Sequence, residues 1–306
     1  MKHIICLLTF ILSLTNLSLE GQSFKRDYQS HLDQHQDQEI PIPYELLKRQ
    51  TNLDNILGVI DRTLSNEAIN IRAVGYESLD VLHEVFKRTQ DHKQVLALQM
   101  KALEDRSTQI QLRAIVLLSE LEPAYFSASQ KTLLISHLTN TADTQSELLR
   151  LIGQLGDTSA ITAIRPYTQK GISPKLRWQA YLAMARLGDE QAIATLLSKV
   201  QNLEVDTDVT YDLVPGLVYT HQKSIYNFLI AAINSNETNC LPADPDQTQP
   251  INCAYRILEY IVPEITDFPF GIQASGDLDV EDYSLALQTA REWFAANPDY
   301  QIALGE

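Results

Sequence analysis

Basic residues are scarce in this chain. It holds 24 Lys and Arg against 39 Asp and Glu, a formal net charge of −15 over 306 residues. A phosphate-binding surface gathers Lys and Arg so that each contact releases counterions, so nucleic acid is excluded as the expected partner. Such a balance suits basic partners, cations or simple solubility. Glycine (11) and proline (12) are also few, which excludes a collagen-like or low-complexity chain. Catalytic signatures are missing too: there is no nucleophile elbow, P-loop, GxGxxG or HExxH. The seven histidines are scattered at 3, 31, 35, 83, 92, 137 and 221. No cofactor and no metal site is expected.

Long apolar runs are nearly absent, with one exception at the start. "MKHIICLLTFILSLTNLSLEG" places Lys2 before an apolar stretch from Ile4 to Leu14. That layout predicts a secretory signal peptide over 1–22, cut near Gly21–Gln22 or Ser23. The stretch is too short to span a bilayer comfortably, so no integral membrane span is expected after cleavage. Retained, the same segment would anchor a structural part of an envelope. The expected location is therefore exported, periplasmic or secreted, with a bacterial envelope favoured. Asn236-Glu237-Thr238 would accept a glycan only in a eukaryotic secretory pathway.

Cysteine is rare, and only Cys240 and Cys253 follow the leader. They bracket a loop with three prolines, which predicts a disulfide in an exported chain. The pair lacks the C-x-x-C spacing and nearby histidines of a zinc site.

What is present is helical periodicity. Residues 23–42 are polar and rich in Gln, Asp and His, and they read as a flexible lead-in. His31 and His35 stand four apart there, a spacing two metal ligands could use only on a formed helix. From 43 to 201 apolar residues recur at three- and four-residue steps. "LRWQAYLAMARLGD" puts Leu176, Ala180, Ala183, Met184 and Leu187 on one stripe and Trp178, Tyr181 and Ala185 on a second, beside Arg177. Packing against a neighbouring repeat would use that second stripe. Trp, Tyr and Arg are also the usual anchors of a protein interface, so Arg177, Trp178 and Tyr181 are the candidate partner-binding residues.

The chain also repeats itself. Leu155, Gly156, Asp157, Ala160 and Ile161 return 32 residues later as Leu187, Gly188, Asp189, Ala192 and Ile193. Gly156 and Gly188 would end one helix in the left-handed conformation, and Asp157 and Asp189 would cap the next. "IRA" at 71–73, "LRA" at 112–114 and "LRW" at 176–178 form a looser echo, each with an arginine (Arg72, Arg113, Arg177) after an apolar residue. Helical hairpins repeating every 30–40 residues predict a solenoid.

"SPKLRWQAYLAMARLGDEQAIATLL" at 173–197 resembles a HEAT repeat of the short type first noted in phycocyanobilin lyases. "ELLRLIGQLGDTSAITAI" at 147–164 resembles a second copy, "LRAIVLLSELEPA" at 112–124 a third, and "IRAVGYESLDVL" at 71–82 a distant fourth. The resemblance implies an all-α, right-handed α-solenoid of stacked hairpins over 43–201. Residues 202–306 read as a divergent helical region and cap. It implies little about activity, since such repeats serve scaffolds, adaptors, inhibitors and a few lyases. The expected function is an exported scaffold or adaptor that binds another protein without catalysis. The alternatives are a lyase-like or ligand-handling enzyme and the membrane-anchored envelope component.

"DLDVED" carries Asp277, Asp279, Glu281 and Asp282. An EF-hand loop counted from Asp277 needs Gly and Glu where Asp282 and Gln288 stand, so calcium is not expected. Acids before a helix suit its dipole.

Overall fold

A computed structural model describes residues 21–35, 40–139, 143–242, 246 and 248–303. Of the residues 1–22 expected to form a signal peptide, 1–20 lie outside this set, and Gly21 and Gln22 are described as helix. The described residues are all-α, with three isolated antiparallel bridges and no longer strand. The chain divides into two compact units, one through Glu147 and one from Leu148. The expected boundary at 201/202 falls inside the second.

In the first unit, α1 covers 21–34, followed by α2 (Tyr44–Lys48), α3 (Leu53–Leu64), α4 (Ile69–Val85), α5 (Thr89–Gln99), α6 (Thr108–Ser119) and α7 (Ala128–His137). α4 is the hub, packed against α2, α3, α5 and α6. Its burial fits that place: Val74, Tyr76, Leu79, Val81 and Leu82 are sealed over more than one face. α3 buries the one-sided set Leu53, Ile56, Val59, Ile60 and Leu64, at helical spacing. Gly75 lets α3 and α4 approach, since a Cβ there would meet Leu64 Cδ2 at 2.7 Å. Asn52, Ser107 and Ser127 cap α3, α6 and α7 through their side-chain oxygens.

α1 corrects the flexible lead-in expected over 23–42. Phe24, Tyr28 and Leu32 stand at i, i+4 and i+8, and all three are sealed in the core of this unit. The Tyr28 hydroxyl lies 3.2 Å from Ser78 Oγ of α4. Burial pushes the Tyr28 phenol up to about 12. A single narrow stripe of three large residues holds the helix, and the polar residues between them face water.

The second unit begins inside α8 (Gln145–Gln154). It continues with α9 (Ile161–Ile164), α10 (Pro174–Arg186), α11 (Glu190–Val200), α12 (Thr207–Asp212), α13 (Val214–Tyr219), α14 (Lys223–Ile233), α15 (Ala254–Ile261) and α16 (Tyr283–Ala296). Short 3-10 turns flank α9, at Thr158–Ala160 and Arg165–Thr168. α10 pairs with α11 and with α13. α13 and α14 pack on α15, and α16 closes on α14 and α15. Pro215 sits in the first turn of α13, where its missing N–H costs nothing, so Pro215–Gly216 opens a helix rather than breaking one.

Candidate functional site

The repeated Leu-Gly-Asp turns come first, because they place the candidate residues. Gly156 and Gly188 hold φ of +70° and +84°, the left-handed region that favours glycine. At the second turn Gly188 N–H donates to Ala185 O and Asp189 N–H to Met184 O, both at 2.9 Å, which satisfies the last carbonyls of α10. The Asp189 carboxylate accepts from Ala192 N at 2.8 Å and so starts α11. Asp157 accepts from Ser159 N at 3.0 Å in the same way. Asp189 also receives Arg165 Nη2 at 2.7 Å, which ties the preceding 3-10 turn to this hairpin.

Arg177, Trp178 and Tyr181 lie on α10, each half-buried. Trp178 turns toward α13. A Cβ on Gly216 would lie 3.7 Å from Trp178 Nε1 and 2.7 Å from Leu182 Cδ1. Trp178 Nε1 is sealed from solvent with no acceptor in reach. Tyr181 extends its hydroxyl toward Thr168 O at 3.5 Å. Two of the three thus help to join α10 to its neighbours, as the second stripe of a packed repeat would. Arg177 stands in the first turn and a half of α10.

The three echoed arginines have unlike surroundings. Arg72 is buried against Asp105 of the next hairpin, with Nε–Oδ2 at 2.8 Å and Nη2–Oδ1 at 3.0 Å. Arg113 is exposed, 4.0 Å from Glu77. Arg177 is neither sealed nor in a carboxylate pair.

Two buried clusters escaped the sequence reading. In the first unit His83 Nδ1 lies 2.8 Å from His92 Nδ1, and His83 Nε2 lies 2.9 Å from Gln99 Oε1. His92 stacks between His83 and Tyr125, with centroids at 5.1 and 4.5 Å. The amide carbonyl can only accept, so His83 Nε2 carries the hydrogen and its Nδ1 accepts from His92. Burial lowers the His83 imidazole to about 4. His83 and His92 stand nine apart, a spacing that brings nothing together on a single helix. In the second unit the Tyr219 hydroxyl donates to Arg150 O at 2.5 Å, over Gly153. Burial pushes the Tyr219 phenol far up, and burial likewise pulls the Arg186 guanidinium down beside it.

The remaining candidates resolve simply. Cys240 and Cys253 form a disulfide, their Cα atoms 5.0 Å apart. His31 and His35 do share a helix face, with centroids at 5.0 Å. Yet His31 Nε2 meets Pro41 O and His35 Nδ1 meets His31 O. Asp282 caps α16 by accepting from Ser284 N at 2.7 Å and Leu285 N at 3.1 Å. Among the described residues no group of three or more His, Cys, Asp or Glu is placed to hold a metal. Among them, too, no helix is long and apolar enough to cross a membrane.

Two clefts stand out. One, about 270 Å³, runs between α4 and α6 over Ile69, Ala73, Tyr76, Ile110 and Leu117. The other, about 470 Å³, lies over Tyr255, Arg256, Glu259 and Tyr283. In it Arg256 Nη1 and the Tyr283 hydroxyl both donate to Glu259, at 2.7 and 2.9 Å.

Compared with known proteins, the chain matches no family model and no curated sequence.

Proposed function

We propose that this chain is an exported scaffold, a right-handed α-solenoid of HEAT-like hairpins that binds another protein and carries no catalysis of its own. The observation that carries the reading is the hairpin α10–α11. Its Gly188–Asp189 turn closes one helix and caps the next, and Gly156–Asp157 makes the corresponding turn after α8, with a left-handed glycine and an aspartate that accepts from Ser159 N. A hairpin folded about such a turn can stack on the next one and leave a long face for a partner. The Cys240–Cys253 disulfide supports an oxidising compartment. Residues 23–306 would be the exported portion, and the region 202–306, with α12–α16, would serve as the cap.

The test is chemical cross-linking of the protein in its native host, followed by mass spectrometry of the captured complex. A mature chain lacking about the first 22 residues, joined reproducibly to a particular second protein, supports the reading. An intact Met1 with free thiols removes the export argument. Turnover of a substrate by the purified chain would overturn the non-catalytic assignment.

A further inference from the structure

We propose that the cleft over α15 binds a neutral oligosaccharide. This is an additional site within 202–306, and it does not depend on the scaffold reading.

Convergence is the first observation. The cleft of about 470 Å³ is lined by Tyr255, Arg256 and Glu259 of α15, by Asp277 and Leu278 of the hairpin closed by the Ile272–Leu278 bridge, and by Tyr283 at the start of α16. Small-ligand sites commonly measure about 300–1,000 Å³. The walls are fixed from within. The Tyr283 hydroxyl donates to Glu259 Oε1 at 2.9 Å and accepts from Leu278 N at 3.2 Å, so one phenol joins α15, the hairpin and α16. Cys240 and Ile251 exchange backbone bonds at 3.1 and 2.7 Å beside the Cys240–Cys253 disulfide, which fixes Ile251, another lining residue.

Charge is the second observation. Arg256 Nη1 faces two carboxylates, Glu259 Oε2 at 2.7 Å and Asp277 Oδ1 at 4.0 Å. The first contact is a hydrogen bond and the second is too long for one. Asp277 Oδ2 accepts from Ser275 Oγ at 2.9 Å, and Oδ1 accepts no hydrogen bond among the described residues. The other N–H groups of Arg256 make none among them either. An anion in the cleft would meet both carboxylates, and a cation would meet the guanidinium. A hydroxyl suffers neither repulsion, because it accepts from Arg256 and donates to Asp277 at once.

Aromatic geometry is the third observation. The rings of Tyr255 and Tyr283 meet edge to face, with centroids at 5.7 Å and planes at 87°. Both residues are half-buried, so part of each stays open beside the polar groups. A pyranose ring matches this corner: its C–H face is apolar and its rim carries adjacent hydroxyls. A wholly apolar ligand would strip water from Arg256 and Asp277 without replacing it, at a cost greater than the contact returns.

The experiment is saturation-transfer NMR of the full chain with maltotriose, cellotriose, triacetylchitotriose, mannotriose and galactobiose at millimolar concentration. At least one is expected to bind. Its affinity should stay within about twofold as salt rises, since a neutral ligand is not screened. Tyr255→Ala and Asp277→Ala, each checked by circular dichroism, are expected to weaken binding about tenfold. Asp277→Asn, closer in shape, covers the case in which the alanine variant fails to fold. Arg256 is left in place because its removal would strand Glu259, whose side chain is only 9% exposed.

No binding by any of the five sugars overturns the proposal. Binding that survives in the folded variants at Tyr255 and Asp277 overturns it as well. Loss in Phe270→Ala instead would move the sugar to the other half-buried aromatic cluster, where Phe268 meets Phe270 and Trp293. Tighter binding of tetralysine through Tyr255 and Asp277 would make the cleft a cation site and overturn the assignment too.

Discussion

Arg72 and Asp105 face each other as a two-pronged ion pair with their side chains only 5% and 3% exposed. Nη1 of Arg72 donates to Asn66 O and Glu67 O, both at 2.9 Å. Burial alone would raise the Asp105 carboxyl, but Arg72 and the Ser107 N–H hold it below its ordinary value. Removing either partner strands the other charge in a sealed site. Arg72→Ala and Asp105→Ala should each cost about 3–5 kcal/mol, and the double variant far less than their sum. Urea unfolding followed by far-UV circular dichroism measures this. Additive losses would show that the pair is not coupled.

The Gly188 turn makes a sharper local prediction. A Cβ on Gly188 meets nothing within 4 Å, so any penalty comes from the positive φ and not from crowding. Gly188→Ala should therefore cost about 1–2 kcal/mol and Gly188→Asn less, since asparagine tolerates this conformation. Asp189→Ala removes the cap of α11 together with the Arg165 contact, and should cost about 1–2 kcal/mol. Thermal melts of the three variants would rank them. An alanine variant as stable as the parent would mean that the turn relaxes freely.

These turns were legible because their chemistry is local. Glycine and aspartate meet their backbone partners within five residues, so the sequence spacing carries the geometry. The stripe of α10 was legible for the same reason. What was hidden depends on partners distant in the chain. Arg72 needs Asp105, 33 residues away, and Tyr219 needs Arg150, 69 away. α1 was missed because three large residues stand among eleven polar or small ones, and their value appears only once α3 and α4 offer a groove. Trp178 read as a candidate anchor because its stripe is apolar; the fold turns it toward Gly216.

Gly153 tests a close approach of a different kind. A Cβ there would overlap the Tyr219 hydroxyl and lie 3.0 Å from Ala183 Cα. Gly153→Ala should cost about 1–3 kcal/mol by overpacking. Tyr219→Phe removes the clashing oxygen and one hydrogen bond, so the double variant should recover part of the loss. Tryptophan fluorescence suits this measurement, since the site and both tryptophans belong to one unit. A double variant worse than the sum of the singles would assign the strain to Ala183.

The His83 cluster predicts a pH dependence with a definite sign. His83 is held neutral by burial, and Lys87 and His92 disfavour its charge further, while the Gln99 contact opposes them. Asp91 beside it is occupied by Arg88 at 2.8 Å, and Tyr125 by Glu122 at 2.9 Å, so neither carboxylate is turned on the imidazole. As pH falls through 6.5 the unfolded chain takes up a proton at His83, and the folded chain does so only near pH 4. Stability from the neutral ring is therefore complete above pH 6.5 and lost progressively down to about 4. The full loss is on the order of 3 kcal/mol. His83→Gln should flatten that part of the profile. Imidazole NMR gives the direct check: the His83 ring should hold its chemical shift from pH 7.5 to 5, and a midpoint near 6.5 would show that the ring is open to solvent and that the cluster contributes no such slope.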